Sequence, residues 1–476
     1  MATTNGNRRM IDMKRWELSQ QCPVNVSGGC FFATAPHHTQ LMMYGASNAS
    51  AGISLYDPYE DGWMGLSNPA LAGLNGLGFH GCATAVGPSG TATGSGSTTT
   101  LLTNLALTVN LKGYKIHITG GPAAGDVRTI KNNTVGTNST ITVETAFSAS
   151  TTASTTYRLL TPRWYVTSAS SSSNTAMKFY CLALGSWIQH GTNSLPISAS
   201  NEVRLVATPS FYGSDFVSFA TGTATSATAT TLSNSAKNWA TNQWTNSQVR
   251  ITSGTGAGQI RTISSNTGTQ LTVSANWTTT PDATSGYSIE GNDDYLYMTG
   301  NNSAGLWRLT ISTGTWTTMA SRNVSYAAGN GLSAHWINKA NDDTWKDENN
   351  IQNGRYIYSF RGGNSFDLQR YDIAANTWPL NITNYDNAIY PFTTGSRFAE
   401  RSGIIYCYHN NTQRLYRFDV VRNQMLGTTL YPLSVTTEQF APTMEICEYF
   451  DGDTKIPYLY MAQGNQVQML RMMIIP

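Results

Sequence analysis

The stretch RYIYSFRGGNSFDLQRYDIAANTW, Arg355–Trp378, decides the fold. Its aromatic and aliphatic residues alternate with small or polar residues in two runs, and the sequence Gly362-Gly363-Asn364 separates the runs. Period-2 alternation bounded by glycine and asparagine is typical of short antiparallel strands. The stretch therefore predicts two strands joined by a tight turn, and the approach to Trp378 predicts the start of a third.

The same unit recurs along the chain. Each copy has an aromatic strand, a turn of Gly, Asn or Ser, and a strand that often ends in an aromatic-Asp pair. The other copies are Leu41–Trp63, Arg163–Trp187, Asp294–Trp316, Gly403–Met425 and Pro457–Pro476. One such unit cannot bury its apolar faces alone, so the copies must pack on one another.

These copies resemble the kelch repeat, a four-stranded blade of a β-propeller, although the double glycine of that family is intact only at Gly362-Gly363. The resemblance implies an all-β fold: a six-bladed β-propeller with two homologous small β-rich inserted modules. The last copy ends near Met473 without an outer strand, and Arg15–Leu18 is a candidate to supply it. The alternative is an open set of sandwiches.

Two insertions interrupt the repeat, and they are homologous. GYKIHITGGPAAGDVRTI, from Gly113, aligns with NSQVRITSGTGAGQIRTI, from Asn246. The aligned pairs include Gly121 with Gly254, Gly125 with Gly258, and Arg128 with Arg261. We expect the glycines to occupy the turn between paired strands and each arginine to begin the returning strand, as structural positions.

The domain prediction follows from these insertions. The propeller comprises residues 1–90, 161–220 and 291–476, module 1 is 91–160, and module 2 is 221–290. Each module is expected to follow a first blade strand, HGCATAVG from His80 or SDFVSFATG from Ser214. Equivalent loops of neighbouring blades open on one face, so the modules should stand side by side.

Composition narrows the function classes. The net charge is +2 and charged residues make up 12% of the chain, about half the usual ~25%. There is no basic block to favour nucleic-acid binding and no apolar run long enough for a membrane span. From the opening residues we expect no secretory signal. The six cysteines lack metal-ligand spacing, and Cys181 and Cys407 are expected to be buried thiols.

Candidate catalytic and metal motifs have simpler structural explanations. Ser312–Trp316 holds part of a sialidase Asp box without its aspartate, and His37-His38 could serve a copper site only if two strand neighbours faced the same way. The acidic run 342–348 lacks EF-hand spacing, and GTGAG at Gly254 lacks the Lys of a phosphate loop. We therefore predict no catalytic residues, no metal and no cofactor.

The inserted modules resemble β-modules of tailed-bacteriophage tail and fibre proteins, and propellers with such insertions resemble the nozzle or hub proteins of short-tailed phages. This implies a virion protein, made in the host bacterial cytoplasm, that contacts other virion proteins and forms a homo-oligomer. A tail or neck location is preferred over a head decoration or fibre-base role.

The competing class is a carbohydrate- or receptor-binding propeller that uses exposed Trp239, Trp244 or Trp277. Their counterparts in module 1 are Ala106, Leu111 and Phe147, of which two are also bulky and apolar. Core packing is therefore expected for the three tryptophans.

Overall fold

The chain folds into antiparallel β-sheets, and its described part contains one short 3-10 turn, Leu182–Leu184, and no α-helix. The computed structural model describes residues 16–23, 31–34, 41–45, 53–67, 80–84, 86–167, 177–190, 195–197, 203–207, 218–300, 302–327, 331–334, 355–365, 367–382, 392, 396–401, 403–409, 414–420, 424–430, 443–451, 454–462 and 468–474. The predicted all-β class is confirmed.

Six sheets of four strands each are present in this part of the chain, here numbered in chain order. Sheet 1 contains Phe31–Thr34, Met42–Gly45, Ile53–Asp57 and Gly62–Leu66. Sheet 2 contains His80–Thr84, Arg163–Thr167, Met177–Cys181 and Ser186–Gln189. Sheet 3 contains Arg204–Ala207, Tyr295–Thr299, Leu306–Thr310 and Thr315–Thr318.

The remaining three sheets follow the same order. Sheet 4 contains Gly331–Ala334, Tyr356–Phe360, Leu368–Asp372 and Thr377–Ile382. Sheet 5 contains Arg397–Arg401, Ile404–His409, Arg414–Asp419 and Gln424–Leu430. Sheet 6 contains Thr443–Asp451, Thr454–Ala462, Met469–Met473 and, from the other end of the sequence, Trp16–Leu18.

A cross-strand pair repeats from sheet to sheet. In four sheets a tyrosine of the second strand lies opposite an arginine of the third: Tyr297 and Arg308, Tyr358 and Arg370, Tyr406 and Arg417, Tyr460 and Arg471. In three of these, the guanidinium also lies 4.1–4.9 Å from the ring centre of the tyrosine two residues earlier. Cross-strand neighbours stabilise a sheet, so the repeat found in the sequence is also a repeat of contacts.

The first strands of the six sheets form a closed circuit. Each contacts the first strands of the preceding and following sheets, and the first strand of sheet 6 contacts that of sheet 1. The expected pairing of the two chain ends is present, with Trp16 opposite Met472 and Leu18 opposite Leu470.

A hydrogen-bonded clamp fixes the closing strand Trp16–Leu18. Asp61, in the turn before the last strand of sheet 1, accepts hydrogen bonds from the Ser19 hydroxyl at 2.7 Å and the Gln20 amide at 3.1 Å. Tyr56 donates to the same carboxylate at 2.5 Å. Burial opposes ionisation, but the bonds from Tyr56, Ser19 and Gln20 outweigh it and lower the pKa of Asp61. The clamp therefore joins sheet 6 to sheet 1.

The inserted modules form two further sheets. Module 1 is ordered Ser89–Thr91, Thr156–Leu160, Lys115–Gly120, Val127–Asn133, Thr140–Val143 and Thr100–Leu102. Module 2 is ordered Ala220–Thr223, Gly286–Glu290, Gln248–Ser253, Ile260–Asn266, Gln270–Val273, Thr231–Ser233 and Ser226–Ala227. Aligned segments occupy the same places in both sheets, so the two modules share one topology.

One strand assignment made from the sequence is wrong. The first strand of sheet 3 is Arg204–Ala207, whereas SDFVSFATG was expected to supply it. The end of that segment belongs to module 2: Phe219 and Ala220 are buried in the module core, and the Phe219 amide donates to the Ile289 carbonyl. Two adjacent stretches alternate with period 2, and local pattern alone cannot tell which sheet each one joins.

Candidate interaction site between the two modules

The two modules enter the chain at equivalent points. Module 1 lies between the first and second strands of sheet 2, and module 2 lies between the first and second strands of sheet 3. The first strands of these sheets contact each other. The modules therefore start and end beside one another, and residues of one reach residues of the other.

Glycines shape the turn that each module presents. Gly121 and Gly125 have φ values of +96° and +94°, and Gly254 and Gly258 have φ values of +72° and +87°. Glycine adopts such φ values without the steric cost that a side chain imposes. GTGAG is accordingly a β-turn between Gln248–Ser253 and Ile260–Asn266, as GPAAG is in module 1.

The aligned arginines make matching bonds inside their own modules. Each is the second residue of the returning strand. Arg128 Nε donates to the Ala146 carbonyl at 2.8 Å, and Arg261 Nε donates to the Asn276 carbonyl at 2.9 Å. The sequence alignment pairs Ala146 with Asn276 as well. Both arginines therefore tie the returning strand to the loop that precedes the last strand of the module.

The two glycine turns meet each other across the module boundary. A Cβ built on Gly125 would lie 3.0 Å from Ala257 Cβ and 3.3 Å from the Thr252 carbonyl oxygen. A Cβ built on Gly258 would lie 2.9 Å from both the Gly125 nitrogen and the Ile118 carbonyl oxygen. Backbone meets backbone here, and the fit leaves no room for a methyl group.

Apolar side chains flank this contact. Val127 and Ile260 occupy the same aligned position, immediately before Arg128 and Arg261. Both pack, together with Val86, against the buried side chain of Leu160. This small cluster draws residues from both modules, whereas the main core of module 2 is a separate cluster.

A buried ion pair lies beside the contact in module 2. Arg250 Nη2 is 3.0 Å from Glu290 Oε1, and both side chains are at most 5% exposed. Gln248 donates to the other carboxylate oxygen at 3.4 Å. Burial raises the pKa of Glu290 to about 7 in spite of the arginine. In module 1 the position aligned with Arg250 is His117, and the position aligned with Glu290 is Leu160.

Electrostatic interactions also cross the boundary. Burial, together with the charges of Arg250 and Arg158, lowers the pKa of the fully buried His117 to about 3. Arg158 of module 1 is 3.3 Å from Asp293, in the segment that leads from module 2 back to sheet 3. His117 is therefore neutral at pH 7, which avoids a third cation at this boundary.

Each module is also bonded to the sheets beneath it. The Thr108 amide of module 1 donates to the Ala183 carbonyl, in the 3-10 turn that connects the last two strands of sheet 2. In module 2, the Asn246 side chain donates to the Ile373 carbonyl at 3.0 Å and accepts from Arg308 at the same distance. Module 2 therefore contacts both sheet 3 and the third-strand end of sheet 4.

The three tryptophans that could have stacked on sugars are buried. Trp239, Trp244 and Trp277 are 5%, 4% and 5% exposed and belong to the core of module 2. The expected core packing is confirmed. The five described cysteines are buried free thiols, which confirms the burial expected for Cys181 and Cys407.

The motifs considered for catalysis or metal binding fall in three places. Ser312 caps a turn, with its amide and hydroxyl donating to Asp294 at 2.7 and 2.6 Å. His37-His38 and the acidic run 342–348 lie outside the described residues. The described residues contain no group of three or more His, Cys, Asp or Glu placed to hold a metal ion. None of the helical structure described is long and apolar enough to cross a membrane.

Sequence reasoning identified the turns but missed the polar residues of the boundary. His117, Arg250, Glu290 and Arg158 all lie on strands whose neighbouring residues are apolar. One signal in the sequence could have identified them. A charged residue stands on a buried strand face where the homologous module has no charged residue, and a buried charge requires a partner. Glu290 against Leu160 is the clearest case.

Comparisons with known proteins identify no family. No family model matches the chain, and no curated protein matches it. Among solved structures, hydrazine synthase from Kuenenia stuttgartiensis is 11% identical over 38% of this chain and 46% of that chain, with a TM-score of 0.22. A similarity that low carries no argument about fold or function.

Proposed function

We propose that the six four-stranded sheets are the blades of a β-propeller that carries the two modules. The closed circuit of first strands and the repeated Tyr–Arg pairs support this arrangement. The pairing of Trp16–Leu18 with Met469–Met473 supports closure by the two chain ends. A propeller closed in this way protects its sheet edges, which suits a rigid scaffold.

We further propose that this scaffold is a structural component of a tailed-phage virion, in the tail or neck, and acts by protein–protein contact. The observation that carries the proposal is the module pair, two copies of one small β-unit held against each other at equivalent loops. The module motifs resemble phage tail and fibre modules. The neutral polar composition, with 12% charged residues, is consistent with an assembly surface.

The proposed role is non-catalytic, with no metal or cofactor. Its partners are other virion proteins and further copies of the chain; a head-decoration or fibre-base position is the second choice. Glycan recognition was favoured by Trp239, Trp244 and Trp277, and because these side chains are buried they cannot stack on a sugar. Turnover in a screen for glycan hydrolysis, or stoichiometric copper, zinc or calcium in the purified protein, would refute the non-catalytic, metal-free assignment.

The deciding experiment removes the modules and measures incorporation into particles. Residues 89–160 and 220–290, the spans of the two module sheets, are replaced by short Gly-Ser bridges. We expect a folded chain that no longer enters particles, because standard interfaces bury about 1,200–2,000 Å², an area that short loops do not supply.

Two controls make the incorporation result interpretable. The Gly136→Ala chain alters an open position of module 1, where a Cβ would meet nothing within 4 Å, and should incorporate normally. A cooperative melt of the excised chain shows that its remaining sheets fold. Normal incorporation of the folded, excised chain would show that the modules are not the assembly contact.

A further inference from the structure

The contact between the modules has the pattern of a two-fold interface. Gly125 approaches Gly258 and Thr252, while Gly258 approaches Gly125 and Thr119. Thr252 and Thr119 are aligned positions, as are the two glycines. Two of the contacts are therefore reciprocal: glycine meets glycine, and the glycine of each module meets the aligned threonine of the other. The contacts of Gly125 with Ala257 and of Gly258 with Ile118 involve positions that are not aligned. Reciprocity of this kind defines an isologous, self-complementary surface.

Side-by-side placement alone would not produce this pattern. When neighbouring identical units are related by a simple rotation about a common axis, each presents a different surface to the next. Such a contact is heterologous. Here the same glycine turn is used on both sides, and the flanking residues Val127 and Ile260 both pack against Leu160 of module 1. The two modules must therefore be turned toward each other relative to a simple head-to-tail repetition.

We propose that this surface is a homotypic pairing site, and that a module whose intrachain twin is displaced pairs with the same module of a second chain. The surface comprises the glycine turn, 118–125 or 251–258, and the residue that begins the returning strand. The partner is a second copy of this chain. The proposal stands apart from the virion role, because it concerns association of the purified protein.

A pair of two module 1 copies keeps glycine at the point of closest approach, while Pro122 and Ala123 stand where module 2 has Thr255 and Gly256. Both partners would offer glycine at position 125 and valine at position 127, which are no larger than the residues they replace. Position 117 would place two neutral histidines near each other, without the arginine now present. Asp293 lies outside module 2 and in the same chain as Arg158, so displacing module 2 removes neither partner of this ion pair.

The test uses the full chain and blocks one side of the contact. In Gly258→Arg, the side chain would meet the backbone of Gly125 and Ile118, so module 2 must separate from module 1. The freed surface of module 1 is then open to a second chain. In sedimentation experiments from about 1 to about 100 µM, the range of weak protein association, we expect the mass to double relative to the wild-type species.

Two matched variants identify the surface that pairs. Gly125→Arg/Gly258→Arg blocks both sides and should return the wild-type mass. Gly136→Arg adds the same charge at another positive-φ glycine, in open space, and should leave the mass unchanged. Wild-type mass for Gly258→Arg over the whole range, or a doubled mass that persists in the double variant, would overturn the proposal.

A deletion variant guards against misfolding of the single substitution. Replacing residues 220–290 by a Gly-Ser bridge removes module 2 and leaves the module 1 surface uncovered. This chain should form dimers that Gly125→Arg abolishes. A chain that melts cooperatively and remains monomeric at about 100 µM would overturn the proposal by itself.

Discussion

Gly258→Ala tests the contact between the modules with a single methyl group. The new Cβ would lie 2.9 Å from two backbone atoms of module 1, the Gly125 nitrogen and the Ile118 carbonyl oxygen. Positive φ costs an L-residue about 1–2 kcal/mol, and overpacking a close contact costs about 1–3 kcal/mol. We therefore expect a loss of roughly 2–5 kcal/mol in the stability of the module pair.

Gly136→Ala separates the two contributions. Gly136 has φ +115° and nothing within 4 Å of a built Cβ, so only the cost of about 1–2 kcal/mol for positive φ applies. Thermal unfolding reports the total effect. Hydrogen exchange of residues 116–127 in module 1 reports the contact itself, because in Gly258→Ala these residues carry no substitution. Equal destabilisation by both variants, with unchanged exchange at 116–127, would refute close packing of the modules.

Four further perturbations test other parts of the structure. Asp61→Asn weakens the clamp on the closing strand, with an expected cost of about 1–3 kcal/mol and faster hydrogen exchange at 16–18; unchanged exchange would contradict this. Deleting residues 1–20 exposes the edge of Met469–Met473 and should cause aggregation, so a variant as soluble and heat-stable as wild type argues against closure. Arg322→Ala leaves Asp367, 2.9 Å from the guanidinium, without that partner, and should cost about 3–5 kcal/mol in a denaturant titration; the control Arg361→Ala, which loses a bond to the Ser325 carbonyl, should cost far less. The lowered pKa of His117 means that its contribution to stability is present above about pH 6.5 and is lost as pH falls toward 3, at most about 5 kcal/mol. Melting His117→Asn at pH 7, 5 and 4 should give a smaller acid loss than wild type, and parallel curves would refute the assignment.

Glu290 titrates in the opposite direction from His117. Its pKa is raised from 4.5 to about 7, so its contribution to stability is fully present below pH 4.5 and is lost as pH rises through 7. The two groups at the module boundary therefore have opposite effects on the pH dependence of stability: His117 favours folding at higher pH and Glu290 favours it at lower pH. This opposition is why the His117 test rests on the difference between variant and wild type.

The local strands and turns followed from the sequence because they depend on neighbouring residues. Arg355–Trp378 contains the strands that its alternation predicts, and Gly362, Gly363 and Asn364 have the positive φ values of the expected turn. The homology of the modules was visible because Gly121, Gly125 and Arg128 keep fixed spacing. The assignment of SDFVSFATG failed because Phe219 and Ala220, at its end, are buried in the core of module 2, and an alternating pattern alone does not specify which sheet accepts a strand.

The sequence by itself determined the all-β class, the repeated unit, the pairing of the two chain ends and the aligned positions of the modules. Each of these depends on period, spacing or turn chemistry within a short window. Only the tertiary structure decided that Gly125 meets Gly258 and that Arg250 and Glu290 are buried together beside His117. The contact of Gly125 with Gly258 joins residues more than a hundred positions apart and depends on how the two modules are oriented. The Arg250–Glu290 pair joins residues 40 positions apart on paired strands of module 2. No local pattern encodes either contact.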